Sequence, residues 1–404
     1  MADKTLSENI NQAISDFKGV KQAIIDKGVE IPSGTPTSEY GAKISEIQSG
    51  DGNELEITDF SYFCYKGARM NILERLDTSN GTNFYYMLSD CTSLTEIPQL
   101  DTSNGTNFGS IFYGCTSLTT IPQLNTSNGT SFSQMFYKCS KLPTIPQLDT
   151  SNGTNFSYMF YYCSSLSEVP RLDTSQGTSF NQMFGSCSSL TEIPQIDTSN
   201  GTNFNGMFAS CSSLTEIPQL NTSNGTNFGS MINMCKSLTT IPQLNTSKGT
   251  NFSYMIAGCT SLTTIPQLNT TNGSDFSNMF AGCTSLTTIP QLNTSKGTNF
   301  STMFSGCTSL TTIELTSFAS SSRMFYDCSA LENLTVTGTI TVSNNYLDLS
   351  YSPLLTVDSL LSVLNALKDN TGKTRRTVTL GSTNLEKLTD EQKAIATNKN
   401  YTLK

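Results

Sequence analysis

The chain contains no histidine and no tryptophan, and only 14% of its 404 residues are charged. Without histidine the commonest general base, many nucleophile relays and zinc sites of the usual spacing are unavailable. No C-x-x-C pair is present to suggest redox or metal chemistry. Long apolar runs are also missing: nothing approaches the roughly 18 residues that a membrane-spanning helix needs. The opening segment MADKTLSENINQAISDF has neither an uninterrupted apolar core nor a small-residue cleavage site, so it does not read as a secretory signal. Basic residues are scarce. Between Asp77 and Ile313 there are six, Lys138, Lys141, Arg171, Lys236, Lys248 and Lys296, too few for the dense positive stripe that phosphate contacts require. These absences argue against an enzyme, against membrane insertion and against nucleic acid as a partner.

What is present is a period. Cys91, Cys115, Cys139, Cys163, Cys187, Cys211, Cys235, Cys259, Cys283 and Cys307 follow one another every 24 residues. The residues between them repeat in step, approximately as C-x-S-L-T-x-I-P-Q-L-(D/N)-T-S-x-G-T-x-F-x-x-M-F-x-x. A fixed period in this range marks a solenoid whose units bury their apolar side against their neighbours. The hydrophobic share, 36%, is low enough to suggest disorder, but Leu, Ile, Leu, Phe, Met and Phe keep their register in every unit.

Within one unit, Phe132, Met135, Phe136 and Cys139 are spaced i, i+3, i+4, i+7, which predicts a two-turn helix with one buried face. Ile145 and Leu148 predict a short parallel strand, ended by the proline that recurs from Pro98 to Pro290. The (D/N)-T-S-x-G segment is turn chemistry. The expected architecture is α/β: a leucine-rich solenoid of short parallel strands and short helices over residues 77–313, on the order of 50 Å long at about 4.8 Å per coil. Residues 53–76 read as an irregular first coil, in which Cys64 precedes Cys91 by 27 residues rather than 24. Residues 314–404 read as a last degenerate coil and a mixed α/β cap, with a strand over 334–342, a helix capped by Asp358, a strand over 374–380 and a capping box at Thr389–Gln392. Residues 1–52 predict a small helical module that anchors or oligomerises the chain, with Ile10, Ile14, Phe17, Tyr40, Ile44 and Ile47 on its apolar faces.

The cysteines fall on the face shared with Phe and Met, so they read as free thiols in the core. Neighbouring helices about 10 Å apart would also hold them beyond disulfide reach. Glu96, Glu168, Glu192 and Glu216 recur at one position and read as a solvent face. Asp77, Asp101, Asp149, Asp173 and Asp197 suggest calcium, yet Asn125, Asn221, Asn245, Asn269 and Asn293 take the same slot, and a turn role suits both. No cofactor and no metal is expected. The positions that vary are the two after the first Phe and the two before Cys, and in the N-terminal half they hold Tyr85, Tyr86, Tyr113, Tyr137, Tyr158, Tyr161 and Tyr162. Tyrosine gives large amphipathic contact at low entropy cost, so a ligand surface, if the rod has one, is expected there.

The block C-T-S-L-T-T-I-P-Q-L-N-T-S-N-G-T with M-F-x-G-C resembles the BspA-like leucine-rich repeats of bacterial surface proteins over residues 60–330. Ile-Pro-Gln stands here where Leu-x-Leu is common. The ending LTDEQKAIATNKNYTL resembles tails that close such repeats in phage and bacterial proteins, and KGVEIPSGTPTSEYGAKISEI resembles an N-terminal module of phage virion proteins. The resemblance implies a non-enzymatic solenoid used for adhesion or display. Together with the opening segment, it leads to the expectation of a phage virion protein, a fibre, spike or decoration assembled in the host cytoplasm. Residues 1–50 would join it to other virion proteins as a homo-oligomer such as a trimer, and the rod would meet a host-surface glycan or protein. A bacterial cell-surface adhesin and a passive spacer are the alternatives.

Overall fold

The structure, a computed structural model, describes residues 57–67, 73–74, 76–344 and 346–404. The helical module expected over residues 1–52, with Ile10, Ile14, Phe17, Tyr40, Ile44 and Ile47, lies outside the described residues.

From Asp59 to Asn299 one residue per coil forms a parallel bridge with its equivalent in the next: Asp59, Asn83, Asn107, Ser131, Asn155 and onward. The predicted helix that should follow is not a helix. Phe132–Cys139 is a run of tight turns whose amides alternate in direction. The amides of Phe132, Gln134, Phe136 and Lys138 donate to the carbonyls of Asn155, Ser157, Met159 and Tyr161 in the next coil. Those of Met135, Tyr137 and Cys139 donate to Phe132, Gln134 and Phe136 within the run. Gln134 and Lys138 take left-handed φ of 58° and 60°, and the same two slots are left-handed throughout the array.

The physical reason is the coil spacing. A helix spends every amide on itself and is about 10 Å wide, whereas coils joined by backbone hydrogen bonds repeat near 4.8 Å. Two turns of helix would also be marginal alone. The turn run accepts about 1–2 kcal/mol of strain per non-glycine left-handed residue and gains inter-coil hydrogen bonds of about 1 kcal/mol each. The apolar pattern cannot separate the two forms, because both bury positions i, i+3, i+4 and i+7.

Inside, equal side chains stack on equal side chains. Phe60, Phe84, Phe108 and their successors to Phe300 form one column with ring centroids 5.4–6.0 Å apart and planes within 14° of parallel. A second column runs from Phe112 to Phe208, passes through Ile232 and Ile256, and resumes at Phe280. The first column dictates the repeated glycine: a Cβ on Gly153 would lie 2.6 Å from Phe156 Cζ, and 2.9 Å from both Phe132 Cδ2 and Thr150 O.

All twelve cysteines are buried, and none is in a disulfide. Each thiol of the array donates to a carbonyl of the preceding coil, as Cys139 Sγ does to Phe112 O at 3.1 Å and Cys163 to Phe136 O at 3.0 Å. No helices separate these cysteines, so the expected helix width is not what keeps them from pairing. The odd spacing of Cys64 also resolves. Its amide donates to Met87 O and its carbonyl accepts the Cys91 thiol, so it occupies the slot of Leu88 and Phe112 rather than the cysteine slot. Cys328 is a true member of the ladder, donating to Phe304 O.

The proline segment is extended but has no ladder of its own in most coils. The following glutamine replaces the missing backbone donor. Gln99 Nε2 donates to Gln123 O at 2.7 Å, Gln123 to Gln147 O at 2.6 Å, and the pattern resumes from Gln195 to Gln291. Buried Thr126, Thr150 and their equivalents add a hydroxyl bond to the carbonyl of the next coil, 2.8 Å for Thr126 and 2.7 Å for Thr150.

Regular strands begin only where the period breaks: β1 (Thr312–Leu315) pairs in parallel with β3 (Asn333–Val336), and β2 (Phe318–Ala319) with β4 (Ile340–Thr341). The single strand expected over 334–342 is therefore two. The cap is mixed α/β, as expected. A parallel sheet joins β5 (Leu347–Asp348), β6 (Arg376–Thr379) and β7 (Tyr401–Leu403), accompanied by α1 (Val357–Ala366), α2 (Ser382–Glu386) and α3 (Asp390–Asn398). Thr356, not Asp358, caps α1, and the Thr389–Gln392 capping box is present on α3. The Lys399 ammonium closes the far end of α1, donating to Leu364 O, Asn365 O and Leu367 O at 3.2, 2.6 and 2.9 Å. Among the described residues no helix is long and apolar enough to cross a membrane.

Gly153→Ala, by wedging a methyl group between ring and backbone, is expected to destabilise the neighbouring coils by about 1–3 kcal/mol, read as faster amide exchange near residues 130–180. A second expectation concerns pH. Burial pushes the thiols from Cys139 to Cys328 up, Cys283 and Cys328 to about 12, so the folded chain keeps protons that the unfolded chain releases near pH 8.5. That stabilisation is complete below about pH 8.5 and is lost as pH rises toward 12. Melting temperature should fall steeply above pH 9, and Cys283→Ala should flatten the slope.

Candidate functional site

The outward corners of the turn run are the slots that vary, and the coil geometry makes the tyrosines there unusual. Tyr62, Tyr86, Tyr158 and Tyr162 hold left-handed φ of 57°, 56°, 58° and 64°. Glycine fills the same slots as Gly114, Gly206, Gly258, Gly282 and Gly306. Glycine avoids the strain and tyrosine does not, so the backbone alone gives no reason for a ring at these corners. Ser110, Gln134, Lys138 and Met234 share the conformation, so the coil sets the backbone and the ring itself is what sets these corners apart.

The structure brings all seven predicted tyrosines into one continuous chain of rings. Tyr85 meets Tyr86 edge-on at 4.5 Å, Tyr86 meets Tyr113 at 5.8 Å, and Tyr113 stacks on Tyr137 at 4.5 Å with planes 4° apart. Tyr137 stacks on Tyr161 at 5.1 Å and touches Tyr158 at 6.3 Å, and Tyr161 reaches Tyr162 at 6.1 Å. Tyr62 and Tyr65 extend the chain at its N-terminal end, with Tyr62 stacked on Tyr86 at 5.1 Å. Sequence reasoning passed over these two, although Phe60-x-Tyr62 aligns directly with Phe84-x-Tyr86. Tyr85 and Tyr162 are exposed and the others half-buried, apart from exposed Tyr65. Exposed Tyr254, four coils beyond Tyr158, lies outside the chain.

Neighbouring groups tune this face. Lys138 Nζ sits 5.4 Å from the Tyr137 ring centre, within cation–π range. Tyr86 Oη and Ser110 Oγ both donate to Gln134 Oε1, at 3.4 and 3.1 Å. Glycines make room for leaning rings: a Cβ on Gly185 would lie 2.9 Å from Tyr161 Cδ2, and the chain of rings stops there. Burial is the main cause raising the Tyr113 phenol to about 12, with Tyr137, Tyr86 and Asp90 adding to it. Tyr85 and Tyr137 are also raised, again chiefly by burial.

The repeated carboxylates do not converge on such a site. Glu96, Glu168, Glu192 and Glu216 are exposed, one per coil. The Asp/Asn slot forms a turn in every coil: Asp101 Oδ1 accepts the Ser103 amide at 3.0 Å, and Asn125 Oδ1 accepts that of Ser127 at 3.2 Å. Either residue serves because the accepting atom is the same. Ser103 holds the Asp101 carboxyl below the usual range by its hydroxyl and amide, and Ser175 does so for Asp173. These turns line a groove beside the Pro-Gln segments, running from Gln99 to Asn269.

Coils of constant length, stacked through backbone ladders and carrying a variable ring-bearing face, define a repeat solenoid. The family described as Mycoplasma protein of unknown function, DUF285, matches residues 45–145, 130–243 and 238–337, and the chain belongs to it. A search of the curated proteins finds no match. Among solved structures, the chain is similar to a leucine-rich cell surface protein from Faecalibacterium prausnitzii, at 20% identity and a TM-score of 0.35, covering 64% of this chain and 76% of that one. It is similar to a leucine-rich-repeat protein from Eubacterium ventriosum at 14% identity and 0.36, covering 63% and 80%. The functional domain of InlJ from Listeria monocytogenes, described as including a cysteine ladder, gives 14% and 0.15, covering 71% and 74%. These likenesses are too slight to transfer a ligand or a partner.

Alkaline titration followed by phenolate absorbance should show Tyr113 ionising near pH 12 rather than 10. In Tyr137→Ser, which removes its stacked neighbour, the Tyr113 transition should move toward 10.

Proposed function

We propose that this chain is a non-enzymatic adhesin displayed on a bacterial surface, in which the solenoid is a rigid carrier and the tyrosine chain from Tyr62 to Tyr162 is the contact surface. The observation that carries the reading is the unbroken run of ring contacts from Tyr62 to Tyr162 at slots that hold small or polar residues in later coils. Those rings stack into a preorganised amphipathic strip, and a strip that loses little entropy on binding favours recognition of a glycan or protein surface. The virion reading rested on the lack of a signal-like segment, the anchor-like N-terminal module and the ordered ladder; that module lies outside the described residues, and the comparisons add nothing to the reading. A passive spacer has no use for a continuous strip of rings.

Beads coated with the full chain should adhere to cell layers or to immobilised surface glycans. The triple variant Tyr113→Ser, Tyr137→Ser, Tyr161→Ser uses a residue that Ser305 already places in the same slot, so the coils should stay folded. Its adhesion is expected to drop at least about tenfold, corresponding to some 1.4 kcal/mol. Undiminished adhesion, with unchanged melting, would sink the proposal.

A further inference from the structure

The groove along the Pro-Gln segments is a second surface, built from different residues and independent of the tyrosine chain. Its main part, about 1370 Å³, is lined by Gln147, Gln195, Gln219, Gln243 and Gln267, one per coil except where Arg171 takes the slot between the first two. Its chemistry is one-sided because the fold uses up the donors. Gln219 Nε2 donates to Leu220 O at 3.2 Å and to Gln243 O at 2.7 Å, and Gln195 and Gln243 are spent in the same way. Thr150, Thr174 and Thr198 give their hydroxyl protons to the next coil. What remains in these exposed glutamines is the amide oxygen, one per coil. Beside them, Asp149, Asp173 and Asp197 each use Oδ1 on a serine amide and keep a second carboxylate oxygen. Arg171 is the one cation of the lining.

With coils about 4.8 Å thick, one acceptor on each glutamine-bearing coil favours a donor-rich ligand whose units follow the coils. An extended peptide advances about 3.3 Å per residue, so it brings a residue level with only every second coil. A linear glycan, whose sugar unit is about as long as a coil is thick, stays in step. We propose that the groove binds a linear glycan bearing free amino groups, laid along the solenoid axis. Its hydroxyls donate to the glutamine oxygens, and its ammonium groups lie over Asp149, Asp173 and Asp197. Beyond these, Asn221, Asn245 and Asn269 take the aspartate slot, so the charged part of the ligand is confined to the N-terminal half of this main part.

Isothermal titration of the full chain with a hexamer of β-linked glucosamine, its fully N-acetylated form and hexalysine tests this. The amine form should bind at least about tenfold tighter than the acetylated form, as expected for charge-assisted hydrogen bonds. Asp149→Asn, Asp173→Asn, Asp197→Asn together copy the asparagine coils, so the turns survive, and the preference should vanish. Gln219→Arg copies the slot of Arg171 and should weaken both sugars. Binding of both should persist in the tyrosine triple variant, which separates this site from the adhesive face. Equal affinity for the two sugars, tighter binding of hexalysine, or no binding by the folded wild-type chain would overturn the proposal.

Discussion

Every part of this solenoid answers to one constraint, the thickness of a coil. Backbone hydrogen bonds fix the repeat near 4.8 Å, and a helix about 10 Å wide does not fit. That spacing turns an expected helix into a run of turns, stacks phenylalanines in near-parallel columns, and requires glycine at residues such as Gly153, where ring and carbonyl close in. It also explains the polar side chains. Where proline removes a ladder donor, glutamine reaches one coil further and replaces it. Threonine hydroxyls and cysteine thiols make comparable bonds in the interior.

The period, the core residues and the free buried cysteines were legible in the sequence, because a constant spacing of apolar residues has few physical readings. The backbone conformation was not. Phe132, Met135, Phe136 and Cys139 satisfy a helical face and a turn run equally, and the difference lies in amides that bond to residues 23 positions away. The mismatch at Cys64 was visible as a spacing of 27, but only its bonds to the second coil show that it occupies a phenylalanine slot.

The tyrosine strip was legible for a different reason: variation inside a strict repeat marks positions that the coil does not dictate. What the sequence hid was that the rings touch one another and that four of them sit in left-handed backbone. The groove escaped notice because its residues barely vary. Its character comes from which atoms remain after the glutamines and threonines have bonded to their neighbours, and that depends on geometry alone.

Because each slot packs against its own kind, the joint between any two coils is nearly the same joint. Removing one 24-residue unit, or copying one, brings together surfaces that already match, with no new interface to optimise. Such a gene can lengthen or shorten by unequal recombination without a fold ever being lost. The reach of the rod and the length of its groove are then adjustable in whole steps, while the ring-bearing coils remain a separate, locally written feature.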